Sequence, residues 1–297
     1  MIAMGYLGYN TYFRQGLDFR FPPQVRELMK PFNPSVDGFL EQVQKVKCHF
    51  VDSDDHPYRL TCEETTRPLV VLWGDSHAMA LLPGLVNLNK QYPFGLMTLG
   101  AAQCPPMLDV EPYLFRKQCV DITNKNVNLI LKLKPNALII NFTYREPRYF
   151  WDLNYFQEHF IKTIELIKKN SPATKIIVVG PVPRWDTSPQ AKVLRAWIRN
   201  PLRDGILPTK LPATRLTEYD DLVKALAPQL GYEYISAWEV FCDTEGCLTR
   251  LGDKYTDFVA TDYGHFSQAG SEYFINQIQE MLLGQIGLQA KSLPTAK

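Results

Sequence analysis

From Pro68 onward, apolar runs of strand length alternate with helical patterns. That texture constrains the fold more than any other feature of the chain. The runs are 68-PLVVLWG-74, 94-FGLMTLG-100, 136-NALIINF-142, 174-TKIIVVG-180 and 233-EYISAWEVF-241. Helical patterns lie near 77–91, 120–134, 153–169 and 217–229, and another follows at 268–284. A strand that is apolar on both sides must be covered on both faces, and helices between successive strands make the connections parallel. The sequence therefore predicts a three-layer α/β/α domain over residues 66–287, around a central, mostly parallel five-stranded sheet. Residues 1–65 read as an irregular extension. They carry Pro22, Pro23, Pro31 and Pro34, the polar stretch 52-DSDDHPYRL-60 and one helical pattern near 35–47. Residues 288–297 read as a tail.

Ligands of such sheets sit beyond the carboxyl ends of the strands, so the residues just after each run are the ones to read. The first run ends in 74-GDSH-77, the second at Gly100, and the third at Asn141. The fourth gives 180-GPVPRW-185, and 261-TDYGHFSQAGSEYF-274 precedes the last helix, with Ser267 as its expected N-cap. Ser76 at a strand-to-helix turn is a candidate nucleophile, His265 the base that a serine hydroxyl needs, and Asp262 the carboxylate that orients the imidazole. The backbone N–H groups of Ser76 and Gly100 and the side-chain amide of Asn141 are the expected oxyanion donors. Asp75 reads as a turn-former, and His77 as a packing or substrate-rim residue. His49, His56 and His159 read as ordinary structural residues. Trp73, Tyr144, Arg145, Arg184 and Trp185 lie beside strand ends, where aromatic faces and guanidinium groups suit a sugar. Packing in core and rim is the alternative for these five. Residues 190–210 read as an insertion, a solvated amphipathic helix with a lid over the site as the alternative.

Composition excludes other classes. The 297 residues are 45% hydrophobic and 21% charged with a net charge of +1. That balance suits a soluble globular domain and does not point to nucleic acid as a partner. No run approaches the ~18 apolar residues of a membrane-spanning helix. The opening 1-MIAMGYLGYN-10 is nonetheless apolar. It reads either as the frayed end of a membrane helix or as an ordinary first strand or docking segment. The six cysteines, Cys48, Cys62, Cys104, Cys119, Cys242 and Cys247, fall into three local pairs along the chain. Neither CxxC nor zinc-finger histidine spacing occurs, so no metal site is expected. The even count and local spacing favour disulfides and an oxidising compartment, with the connectivity left open.

Together 74-GDSH-77 and 262-DYGH-265, in that order, resemble the first and last blocks of SGNH/GDSL-type serine esterases and acyltransferases. The chain from about Leu69 to Ile278 is similar to that superfamily. GDSHA, the CPP at 104–106, the GPVP at 180–183, the late Cys pair and 262-DYGHFSQAG-270 narrow the match further. They resemble the C-terminal SGNH domains fused to bacterial membrane acyltransferase family 3 proteins, which O-acetylate surface or secreted polysaccharides. The resemblance implies a flavodoxin-like fold, with the first 65 residues as the linker after a last membrane helix. It also implies a periplasmic or extracytoplasmic location, with no bound cofactor. The acetyl group, derived from acetyl-CoA, would be delivered by a membrane acyltransferase domain of the same full-length chain, and the acceptor would be a bacterial polysaccharide such as O-antigen. A carbohydrate O-acetyl esterase with the same triad is the alternative function, and a non-catalytic glycan-binding module the second alternative.

Overall fold

A computed structural model describes residues 2–13, 21–30, 46, 48–52, 62, 64–111, 116–144, 152–199 and 207–289. In chain order its strands are β1 (Cys48–Asp52), β2 (Leu69–Gly74), β3 (Gly95–Ala101), β4 (Ala137–Asn141), β5 (Lys175–Val179), β6 (Lys210–Leu211), β7 (Glu233–Ile235), β8 (Cys242–Asp243) and β9 (Gly246–Leu248). The helices are α1 (Ile2–Phe13), α2 (Pro23–Leu28), α3 (Ser76–Met79), α4 (Leu82–Gln91), α5 (Cys119–Leu133), α6 (Leu153–Asn170), α7 (Pro189–Arg199), α8 (Thr217–Leu230), α9 (Ala237–Phe241) and α10 (Gln268–Gln285).

The central sheet runs β1-β3-β2-β4-β5-β7, every neighbour parallel. Alternate residues of each strand feed opposite cores. Leu69, Val71, Trp73, Met97, Leu99, Leu138 and Ile140 pack under α5, α6 and α8, through side chains such as Ile130, Phe160 and Val223. Val70, Leu72, Leu96, Ile139 and Ile177 pack under α4 and α10, through Leu85, Phe274 and Leu282. Each buried Val, Leu, Ile, Met or Phe side chain among them contributes about 1.5–3 kcal/mol. The chain leaves β2 for β3 on one side and then crosses to β4 on the other. The join of β2 and β4 is thus the switch point, where sheets of this type open a crevice.

Three elements differ from the sequence prediction. The five expected strands are present, but Cys48–Asp52, expected in the irregular extension, adds a sixth at the edge beside β3. It is a short stretch between polar segments, and pairing rather than pattern makes it a strand. The strand expected over 233–241 ends at Ile235. Ser236 Oγ accepts the Glu239 N–H and starts α9 instead, a Ser-x-x-Glu helix start inside an apolar run. The helix expected over 77–91 is two helices. Pro83 lies in the first turn of α4, where its missing N–H costs nothing, so the chain restarts there. The helix expected near 35–47 lies outside the described residues apart from Val46.

The cysteines pair as Cys48–Cys62, Cys104–Cys119 and Cys242–Cys247. The last pair staples β8 to β9 in a small antiparallel sheet with β6. Within the 190–210 insertion, α7 is anchored rather than wholly solvated. Val193 shares a third core with Val25 and Leu28 of α2, Leu207 and Phe258. Among the described residues no helix is long and apolar enough to cross a membrane. The apolar opening forms α1, which exposes Met4, Tyr6, Tyr9 and Tyr12.

Candidate active site

The turn after β2 is built around Gly74 and Asp75. Gly74 has a φ of 157°, and a Cβ there would lie 1.7 Å from the Asn141 carbonyl oxygen and 2.8 Å from the Ala78 Cβ. Only glycine lets β2, β4 and α3 meet this closely. Asp75 then caps α3. Its Oδ1 accepts the His77 N–H at 2.8 Å, and its Oδ2 accepts the Thr143 N–H at 2.9 Å, joining the turn to the end of β4. Asp75 is therefore the turn-former the sequence suggests. Ser76 follows as the first helical residue, exposed, at a position whose N–H has no partner within the helix.

The opposite wall is the loop before α10. Ser267 caps that helix, accepting the Gly270 N–H at 3.0 Å and donating to the Phe258 carbonyl. Thr261 N–H to the His265 carbonyl, 3.0 Å, closes the loop, and Trp185 N–H to the Tyr263 carbonyl, 2.8 Å, ties its tip to the segment after β5. These bonds carry His265 across to α3. Its Nε2 lies 2.7 Å from Ser76 Oγ, and its Nδ1 lies 2.7 Å from Asp262 Oδ2. Asp262 Oδ1 also accepts the backbone N–H groups of Gly264 and His265, at 3.0 and 2.8 Å. Burial raises the Asp262 pKa, but the hydrogen bond and charge of His265 and the two backbone donors outweigh it and hold the carboxyl at about 2. An ionised Asp262 fixes the proton of neutral His265 on Nδ1 and leaves Nε2 free to accept from Ser76.

The other predicted site residues are distributed differently. Gly100 lies within β3, level with Gly74, and its missing side chain makes room for Met79. Asn141 is 0% exposed. Its Nδ2 donates to the His77 carbonyl at 3.2 Å and ties the end of β4 to α3. Its Oδ1 has no hydrogen-bond partner among the described residues. Trp73 and Tyr144, each 1% exposed, are core residues and not sugar platforms. Trp73 lies within β2, which is buried on both faces, and Tyr144 packs back onto the core three residues past the end of β4, so position near a strand end does not bring either to the surface. The Tyr144 hydroxyl donates to the Val179 carbonyl at 2.6 Å, and its ring stacks on Phe142. Trp185 is also buried, on the α4 and α10 side of the sheet. Arg184 does stand beside the site, with its guanidinium 4.7 Å from the Tyr263 ring centre. Arg145 lies outside the described residues.

Sequence reasoning missed Tyr263 and the proximity of His77 to His265. Tyr263 Oη lies 3.3 Å from His77 Nε2, and the His77 ring stacks on that of His265. The only sequence signal for either is their adjacency to the motif residues.

A doubly wound sheet that sets a serine, a histidine and a carboxylate in line at its switch point defines the class of α/β domain to which the chain conforms. The chain belongs to the family of SGNH domains fused to AT3 domains, whose profile matches residues 47–280. The periplasmic domain of a Salmonella ser. Paratyphi A lipopolysaccharide acetyltransferase shares the fold. It superposes with a TM-score of 0.71 at 24% identity, over 84% of this chain and 96% of that one. The lipase/acylhydrolase of Enterococcus faecalis gives a TM-score of 0.42 at 16% identity, over 75% of this chain and 98% of that one. No curated protein matches the chain in sequence.

Proposed function

We propose that the chain is an O-acyltransferase domain that passes an acetyl group through Ser76 to a sugar hydroxyl of a bacterial surface polysaccharide. The observation that carries this reading is the line Ser76 Oγ–His265 Nε2 and His265 Nδ1–Asp262 Oδ2, both contacts 2.7 Å. In the first half-reaction His265 takes the Ser76 proton as Oγ bonds to the acetyl carbonyl carbon. The imidazolium then protonates the departing donor group, leaving acetyl-Ser76. In the second, His265 deprotonates the incoming sugar hydroxyl, which takes the acetyl group, and the proton returns to Ser76. Asp262 stays ionised throughout. The backbone N–H of Ser76 is the oxyanion donor that the geometry favours, since Gly100 and Asn141 are enclosed.

The family supports a membrane AT3 domain as the donor partner, in the same full-length chain, supplying an acetyl group from acetyl-CoA. The Salmonella relative is a periplasmic domain. That and the three disulfides favour the periplasm as the location. A second reading, a carbohydrate O-acetyl esterase, differs only in taking water as acceptor. The exposure of Ser76 among the described residues favours it, since water reaches the hydroxyl.

The test is p-nitrophenyl acetate turnover by the parent and Ser76→Ala, with and without an oligosaccharide acceptor. Turnover that requires Ser76, with acetylated sugar in the mass spectrum, supports transfer. Ser76-dependent acetate release alone supports the esterase. Equal turnover by Ser76→Ala removes Ser76 as the nucleophile.

A further inference from the structure

The two in-plane hydrogen bonds of His265, to Ser76 and Asp262, fix the edges of its ring. They do not stop the ring from tilting out of the plane those partners share. One face of the ring is held by His77. The two imidazoles lie with centroids 4.1 Å apart and planes 24° apart. His77 is itself anchored on several sides. It is 3% exposed, its N–H is held by Asp75, its carbonyl by Asn141, and its Nε2 lies 3.3 Å from Tyr263 Oη. Tyr263 closes a second side of His265 edge-on, with ring centroids 5.3 Å apart, beneath the Arg184 guanidinium.

We propose that His77 is a positioning residue, whose buried ring lies flat against the His265 imidazole and keeps it in the plane of Ser76 and Asp262. This rests on the reading of Ser76 and His265 as nucleophile and base. It gives the fourth residue of 74-GDSH-77 a task in the reaction. It also accounts for the Asn141 amide, which holds the backbone of the stacking residue. The base becomes a cation when it takes the serine proton, so the ring against its face must stay neutral. Burial keeps it so, lowering the His77 pKa well below that of a free imidazole. The charges of His265 and Arg184 act in the same direction, and Asp262 opposes them.

The experiment compares His77→Phe, which retains a flat ring, with His77→Leu, which fills the space without one. Ser76→Ala serves as the zero, and thermal melting checks each fold. His77→Leu is expected to lower kcat on p-nitrophenyl acetate by about 10- to 100-fold, the cost of a misplaced catalytic group. Its KM should stay within about twofold, because His77 does not touch the substrate. His77→Phe is expected to keep kcat within about threefold of the parent. Should the leucine variant not fold, His77→Met, flexible and of similar bulk, takes its place with the same expected loss. Parental kcat in the ring-less variant overturns the proposal, as does a phenylalanine variant that is folded and equally impaired. If Ser76→Ala itself turns over like the parent, the underlying assignment of the nucleophile fails, and this outcome is distinct from either of those.

Discussion

Replacing Gly74 with alanine tests whether the turn before Ser76 is as tightly built as it looks. The new Cβ would stand 1.7 Å from the Asn141 carbonyl oxygen, and real Cβ contacts essentially never fall below 3.0 Å. Backbone opposes backbone, so no side chain can swing aside. At the register pair Gly74↔Asn141 the atoms must part by about 1.3 Å. A φ of 157° adds strain for any residue with a Cβ. Overpacking and strain together cost about 3–5 kcal/mol. At about 2–4 °C per kcal/mol, the melting temperature should fall by about 6–20 °C. The chemistry should suffer more. Ser76 lies two residues on, and lengthening its 2.7 Å contact with His265 by a similar amount takes it out of hydrogen-bond range. Turnover of p-nitrophenyl acetate should drop at least about 100-fold in the fraction that remains folded. Gly284→Ala is the control. Among the described residues nothing beyond its own stretch of helix lies within 4 Å of its new Cβ, so stability should hold or rise by up to about 1 kcal/mol. Circular-dichroism melts and the ester assay read both effects. A Gly74→Ala protein that melts within about 2 °C of the parent and keeps most of its Ser76-dependent turnover would refute the reasoning.

Tyr144→Phe should leave turnover unchanged, because Tyr144 is a core residue, and should cost about 1 kcal/mol in a melt through the lost bond to Val179. Asp262→Asn should keep the base but lose the fixed tautomer and the counter-charge, so kcat falls by orders of magnitude short of the Ser76→Ala floor. Stability should weaken in mild acid through His77. Its folded pKa is lowered, so as pH falls below about 6.5 the unfolded chain takes up a proton that the folded chain does not. The loss begins there and is complete once pH has passed the lowered folded value. Urea melts of the parent and His77→Phe should therefore diverge toward about 1.4 kcal/mol per pH unit, and parallel curves would discount the effect. Cys104→Ser/Cys119→Ser opens a loop with a sequence separation of 15. It should cost about 3 kcal/mol, read as a lower urea midpoint.

The sheet and the Ser76–His265–Asp262 contacts were legible in the sequence for different reasons. Continuous apolar runs report burial on both faces, which is why β2 to β5 fall where predicted. The same property hides which residues near the strand ends turn inward, so Trp73 and Tyr144 read as surface candidates although both belong to the core. Ser76, Asp262 and His265 were legible because their chemistry ties residue types to turns and helix starts. The stacking of His77 on His265 was not, since it joins opposite ends of the domain's sequence and no periodicity encodes it. β1 escaped because an edge strand with one neighbour needs little apolar pattern. α9 escaped because a single serine overrides the run around it.

The three disulfides join the first cysteine to the second, the third to the fourth and the fifth to the sixth, with sequence separations of 14, 15 and 5. A chain threaded into an oxidising space meets its cysteines in just that order. Each can close on the neighbour already present before the next pair arrives. Random pairing of six thiols has fifteen outcomes, whereas pairing in order of arrival has one, and it is the native one. Bridges between consecutive cysteines thus need none of the slow reshuffling that interleaved ones require.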